Sequence, residues 1–311
     1  MLALAGLAAP SAPAATPIRV QSTLSPPTEW TISQGTNTLL VYSFAPTKFK
    51  PYVKALAPLG GANILRDAPH DHLHHHALMY AIMVNGLDFW AETPGSGVQK
   101  PVASPPPELG TGPDGLPRAT IRQTIHWLAP EDAFLPDSPQ VALLVEHRTL
   151  VLIVSESERE VALRWTSAFE VGGRTNTVTL TGREYLGLGM RFLEELDPLA
   201  NHFNANGQPD LAGTKQDASH HAWGAVGFDR PGLAATIAVF GHPANTGGEA
   251  YFFSMKRPFA YLAATQSLDK KPLVYRTGDK FKVNYLVAIY PELKAKDFLD
   301  RRGATWAKSV P

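Results

Sequence analysis

The sequence predicts an all-β protein: a large antiparallel β-sandwich closed by one C-terminal helix. Three observations predict it. Apolar and polar residues alternate in stretch after stretch, the period of a half-buried strand. No helical pattern separates these stretches, which argues against a doubly wound sheet or a TIM barrel. A helical spacing first emerges from Leu293 to Lys308, where Phe298, Leu299, Arg302 and Trp306 share one face.

The elements follow in order. Residues 1–16 are apolar and small, with an Ala-x-Ala-like end near Pro13–Ala15, and are expected to be a signal-peptide-like segment that directs the protein to the periplasm or the exterior. Residues 17–36 form a polar, proline-containing lead-in. The single sandwich domain is assigned to 37–292 and the helix to 293–311. Within the domain, strands are expected at 37–44, 52–56, 78–84, 119–128, 140–156, 161–171, 175–181, 221–228, 233–240, 250–255, 259–263 and 281–289. Phe281, Val283, Tyr285, Val287 and Ile289 give the cleanest alternation. The proline- and glycine-rich stretch 92–118 reads as a long loop, suited to a lid.

Composition bounds the function. Lys+Arg and Asp+Glu both number 28, so no basic field draws nucleic acid or anionic lipid. Cysteine is absent, which excludes disulfides, thiolate nucleophiles and thiolate metal sites. No stretch reaches the ~18 apolar residues of a membrane span. The expected partner is a small molecule or an oligosaccharide.

The stretch from Pro69 to Trp90, PHDHLHHHALMYAIMVNGLDFW, concentrates the chemistry. It holds His70, His72, His74, His75 and His76 out of eleven histidines. On an extended chain His70, His72, His74 and His76 would share one face and His75 the other. Asn85-Gly86 then marks a two-residue hairpin turn. Such a cluster can act as acid and base near neutral pH, can bind a divalent metal, or can be a solvated polar loop.

Further polar islands accompany it. Arg183 and Glu184 interrupt a strand pattern, offering either a base or an exposed ion pair. Asn201 to Asn206 open a polar loop that contains Lys215 and suits sugar hydroxyls or plain turns. His242-Pro243 ends an apolar strand beside Asn245. The aromatics Tyr251, Phe252, Phe253, Phe259 and Tyr261 read as core.

These islands together resemble a bacterial domain family of unknown function often labelled "methane oxygenase PmoA". Its D-H-P-H-H-R segment corresponds to Asp71-His72-Leu73-His74-His75-His76, and its V-N-G-V-D-F-W to Val84-Asn85-Gly86-Leu87-Asp88-Phe89-Trp90. Later segments correspond to Arg183-Glu184-Tyr185-Leu186 and Gly241-His242-Pro243-Ala244-Asn245, over roughly residues 40–291. Leu73 stands for proline, His76 for arginine, Gly241 for aspartate and Arg183 for lysine. An anion-binding arginine at position 76 would therefore be lost. The resemblance implies a sandwich of the galactose-mutarotase kind and a glycan-related setting.

The leading expectation is an exported carbohydrate-active enzyme with no cofactor. His74 and His75 serve as acid and orienting donor, Glu184 as base, and His242 polarises a ring or carbonyl oxygen. His72, Asn85, Asp88, Trp90, Arg183, Lys215 and Asn245 contact substrate. One alternative is a metal-dependent oxidoreductase or hydrolase with His72, His74 and His242 as ligands. The other is a non-catalytic glycan-binding module. The enzyme expectation requires three distant segments to meet at one pocket.

Overall fold

The computed structural model describes residues 16–134, 141–209, 211 and 216–309; Lys215 and the signal-like residues 1–15 lie outside them. Among the described residues, two nine-stranded antiparallel sheets form the body. The front sheet runs, edge to edge, through Ile18–Gln21, Glu29–Gln34, Asn37–Ser43, Tyr52–Leu56, Leu78–Ala81, Gly187–Arg191, Tyr261–Thr265, Tyr251–Met255 and Gln216–His220. The back sheet runs through Asn201–Asn204, Trp223–Arg230, Leu233–Gly241, Lys280–Tyr290, Glu160–Val171, Leu144–Ser155, Pro117–Leu128 and Val98–Ala103, with Glu108–Thr111 also paired to Pro117–Leu128. A four-stranded sheet of Leu273–Arg276, Thr177–Thr181, Met83–Val84 and Leu87–Asp88 completes the set.

The alternating stretches behave as their period requires. In Lys280–Tyr290, Phe281, Val283, Tyr285, Val287 and Ile289 enter the core between the sheets. Their neighbours Leu286, Ala288 and Tyr290 are also buried, because the helix Lys296–Ala307 lies on the outer face of the back sheet. Leu299 and Trp306 pack there, and Arg302 binds Glu160 through Nε and Nη2 at 2.9 Å each. The part of the back sheet beneath this helix is thus covered on both faces.

Two expectations are corrected. Stretch 92–118 is no lid: it supplies strands of the back sheet. The polar lead-in 17–36 supplies two strands of the front sheet. Asn85-Gly86 does turn the hairpin, with φ of 51° and 80° and the pairs Val84↔Leu87 and Met83↔Asp88 on either side.

A buried polar network bridges the sheets. Arg148, 1% exposed, binds Glu146, 0% exposed, through Nε (2.7 Å) and Nη2 (3.0 Å). Its Nη1 donates to the carbonyl of Pro51 at 2.8 Å and lies 3.3 Å from the Tyr42 hydroxyl, both on the front side. Trp127 Nε1 donates to Glu146 at 2.8 Å. Charges this deep persist when both partners and their remaining donors are satisfied. Glu146→Ala leaves Arg148 buried without its counter-charge, and a loss of about 3–5 kcal/mol in urea unfolding is expected. A loss below about 1 kcal/mol would show that the network does not hold the sheets together.

Candidate functional site

The histidine run is a pair of tight turns, not a strand. The His72 amide donates to the Pro69 carbonyl and the His75 amide to the His72 carbonyl, both at 2.9 Å. Ala68, at φ 44°, closes back by donating to the His75 carbonyl at 2.9 Å. The expected alternation of faces is therefore replaced. His70 is exposed, His72, His74 and His75 gather on one side, and His76 turns into the protein. The rings of His72 and His75 stack at 4.5 Å, and those of His74 and His75 meet edge to face at 4.6 Å.

His76 is the anchor. It is 2% exposed, with Nδ1 2.7 Å from Asp67 Oδ1 and Nε2 2.9 Å from Glu92 Oε1. Its ring stacks on Tyr52 at 4.1 Å, and the Tyr52 hydroxyl donates to Asp67 at 3.0 Å. The buried Lys50 donates to the same Glu92 oxygen at 2.7 Å and to the Trp90 carbonyl at 2.9 Å. Burial by itself would lower the pKa of His76; the hydrogen bonds to Asp67 and Glu92 outweigh it and raise the pKa. Burial would raise Glu92, but His76 and Lys50 bring it down to about 2. The two carboxylates thus favour the charged form of His76, and its ring does not line the pocket that His72, His74 and His75 share.

The pocket lies on the outer face of the front sheet. Phe252 and Leu262 point inward, since a Cβ on Gly224 of the back sheet would sit 2.8 Å and 3.3 Å from them. Their strand neighbours Phe253 and Tyr261 therefore point outward. There, with Trp90, Tyr185, Met255, Pro258 and Phe259, they wall a cavity of about 430 Å³. Its polar lining is His72, His74, His75, Glu184 and Gln216. Gly189 makes the floor possible, because a Cβ there would fall 1.8 Å from the Tyr261 hydroxyl.

The electrostatics follow from packing. Burial, reinforced by His74 and His72, pushes His75 down to about 3. Burial, with Lys50 and His72 adding to it, lowers His74 as well. Both are neutral near pH 7. Asp71 lies 3.0 Å from His72 Nδ1, too bent for a straight hydrogen bond, and accepts from Arg191 Nη2 at 3.2 Å. Burial opposes its ionisation, yet these two partners bring it to about 2. Arg191 is 2% exposed and sits over the Phe259 ring at 3.3 Å, bracing the wall. Glu184 Oε1 accepts from Gln216 at 3.0 Å.

Five expected residues, His72, His74, His75, Trp90 and Glu184, thus meet in one pocket. The others do not. His242 lies at the end of a back-sheet strand, where Nδ1 accepts from the Ala244 amide (3.1 Å) and Nε2 donates to the Ser309 carbonyl (3.0 Å). It packs on Trp306, so the set His72, His74 and His242 is not assembled. Among the described residues no group of three or more His, Asp or Glu is arranged to hold a metal ion. Asn245 is buried against Asn284. Asn85 serves Thr177 and Thr179, and Asp88 caps the Trp90 and Ala91 amides. Arg183 is exposed and reaches the Tyr185 hydroxyl at 3.3 Å. Phe253, Phe259 and Tyr261, read from the sequence as core, are buried but also form the pocket wall; Tyr185, Gln216, Met255, Pro258 and Arg191 were not legible as site residues.

Fold and site together define a β-sandwich protein with an aromatic, histidine-lined pocket on its open sheet face. The chain belongs to a family of unknown function (DUF6807), whose model matches residues 29–300. No curated protein matches the sequence. Among solved structures, the galactosidase domain of the α-galactosidase–sucrose kinase AgaSK is similar at TM-score 0.51 and 10% identity, over 88% of this chain and 42% of that one. An α-galactosidase from Geobacillus stearothermophilus (TM-score 0.48, 9% identity, 88% and 40% covered) and one from Lactobacillus brevis (0.46, 8%, 88% and 39%) are also similar. The chain spans less than half of each, and at these identities the likeness is one of fold.

At pH 6.5, where an ordinary histidine is about half protonated, nitrogen-detected NMR should find His76 mainly charged and His75 neutral. Equal protonation of the two would contradict the placement of His76 between two carboxylates.

Proposed function

We propose that this protein is an exported carbohydrate-active enzyme that performs acid–base chemistry on a sugar held in the front-sheet pocket. The observation that carries the reading is the meeting of His72, His74, His75 and Glu184 against aromatic walls in one cavity of about 430 Å³. Aromatic faces suit the apolar faces of sugar rings, and imidazole, carboxylate and amide groups suit hydroxyls that both donate and accept. The fold neighbour at TM-score 0.51 is the galactosidase domain of an α-galactosidase–sucrose kinase, which supports a sugar as ligand.

The protonation states reassign the roles. A neutral His74 is a base rather than an imidazolium acid, and a neutral His75 orients the substrate by hydrogen bonding. Glu184 faces the same space as the second proton-handling group. On a sugar carbon beside a carbonyl, His74 takes the proton, the C–H electron pair moves onto the carbonyl oxygen as an enolate, and return of a proton to the opposite face, with the electrons moving back, gives epimerisation. Loss of a neighbouring oxygen substituent instead gives elimination. Hydrolysis by paired carboxylates is less well supported: such pairs stand roughly 5–10 Å apart, and the expected partner Asp88 is engaged with backbone amides.

The test is deuterium exchange. Monosaccharides and short oligosaccharides incubated with the protein in D₂O should gain deuterium at one ring carbon, detected by proton NMR. His74→Ala and Glu184→Gln should each slow the exchange at least about a hundredfold. The acid limb of kcat/KM should fall below pH 6.5, because burial lowers His74. Sugar binding with neither exchange nor product after hours would instead establish a binding module.

A further inference from the structure

A second cavity, of about 240 Å³, opens on the same sheet face. Its lining includes His220, Gln266, Ser267, Lys270 and Lys271. The position follows from register. Gln216 pairs with Met255 and His220 with Tyr251 on the two outermost strands of the front sheet. Opposed residues share a side and every second residue along a strand returns to it. Gln216 and Met255 in the first pocket therefore face the same way as His220 and Tyr251. Four residues at roughly 3.3 Å each separate the two sites by about 13 Å.

The second cavity is built for negative charge. Lys270 lies over the Tyr251 ring at 4.1 Å and donates to its hydroxyl, so its ammonium is held in place. Lys270 and Lys271 are both exposed to solvent at the mouth of this cavity. The carboxylates whose fields reach Lys270 belong to Asp269 and Glu184, the latter in the first pocket. Ser267 holds a left-handed φ of 54°, and the amides of Lys270 and Lys271 both donate to its carbonyl at 3.0 Å, folding the lysine turn tightly. Gly247, at φ 86°, lets the opposite loop approach, since a Cβ there would sit 3.3 Å from the Gln266 side chain. A non-glycine residue in this region is strained and persists where its surroundings fix it.

We propose that this cavity is an anionic subsite: it receives a carboxylate or sulfate carried by an oligosaccharide whose reacting ring occupies the first pocket. The substrate class is then an acidic glycan lying along the strand Gln216–His220. This rests on the sugar reading of the first pocket. Two ammonium groups, that of Lys270 steadied by the Tyr251 hydroxyl, and an imidazole supply charge-assisted contacts to a carboxylate or sulfate. A single sugar ring is too short to reach both cavities.

Calorimetry would compare three oligosaccharides on one backbone: a uronate, its neutral methyl ester and a sulfated form. At low salt the preferred anionic form should bind at least about tenfold tighter than the ester, and added salt should shrink the difference. The tighter of the two anionic forms identifies the group. K270Q/K271Q should erase the preference and leave ester binding unchanged. Inorganic sulfate, followed by NMR at the amides of His220, Ser267 and Lys271, reads the subsite without any sugar. Sulfate shifts lost in K270Q/K271Q, with no oligosaccharide bound at all, would retain the anion site and overturn the sugar reading. Equal affinities for ester and anionic forms would overturn the subsite, with or without sulfate shifts.

Discussion

The site depends on His76, a cation held between two carboxylates out of contact with water. Asp67 comes from the approach to the histidine turn, Glu92 from beyond the hairpin, and Tyr52 and Lys50 from an earlier strand and its lead. One ring therefore ties four parts of the chain together. Because His76 is committed inward, the turns that precede it present His72, His74 and His75 outward. A buried charge of this kind adds little net stability, since desolvation offsets much of the attraction. What it supplies is a single orientation for the backbone of its neighbours.

The same arrangement accounts for a cation at position 76 that faces away from the pocket. An anion-binding role at position 76 would need the side chain in the pocket, and it points the other way. Two ring nitrogens bridge Asp67 and Glu92, a task that asks for a cation with two separated donors. The anion-binding capacity on this face instead resides in Lys270 and Lys271, on a turn distant in sequence.

Much of the back sheet was legible because its strands alternate strongly, as Val161 to Val171 and Phe281 to Ile289 do. The missed strands are those whose environment mutes that signal. Val98–Ala103 is an edge strand and tolerates Pro101, which edge positions permit. Gln216–His220 is also an edge, and Ala218 is its one apolar residue. Half of the site was legible too: the density of imidazoles beside an apolar hairpin marked the place. The walls were not, because Phe252 and Phe253 are adjacent and equally apolar, yet one fills the core and the other the pocket. His242 shows the reverse failure. A histidine at a strand end carries no mark of which sheet the strand joins, and this one joined the back.

Gly189 sets how deep the first pocket goes. The Tyr261 ring lies across bare backbone there with the edge of Trp90 beside it, so both pocket-lining rings sit directly on the main chain of Gly189. Any bulk added at this position collides with the ring instead of trimming the cavity. The size of the cavity is therefore set at its other walls, at positions such as Met255 and Phe259.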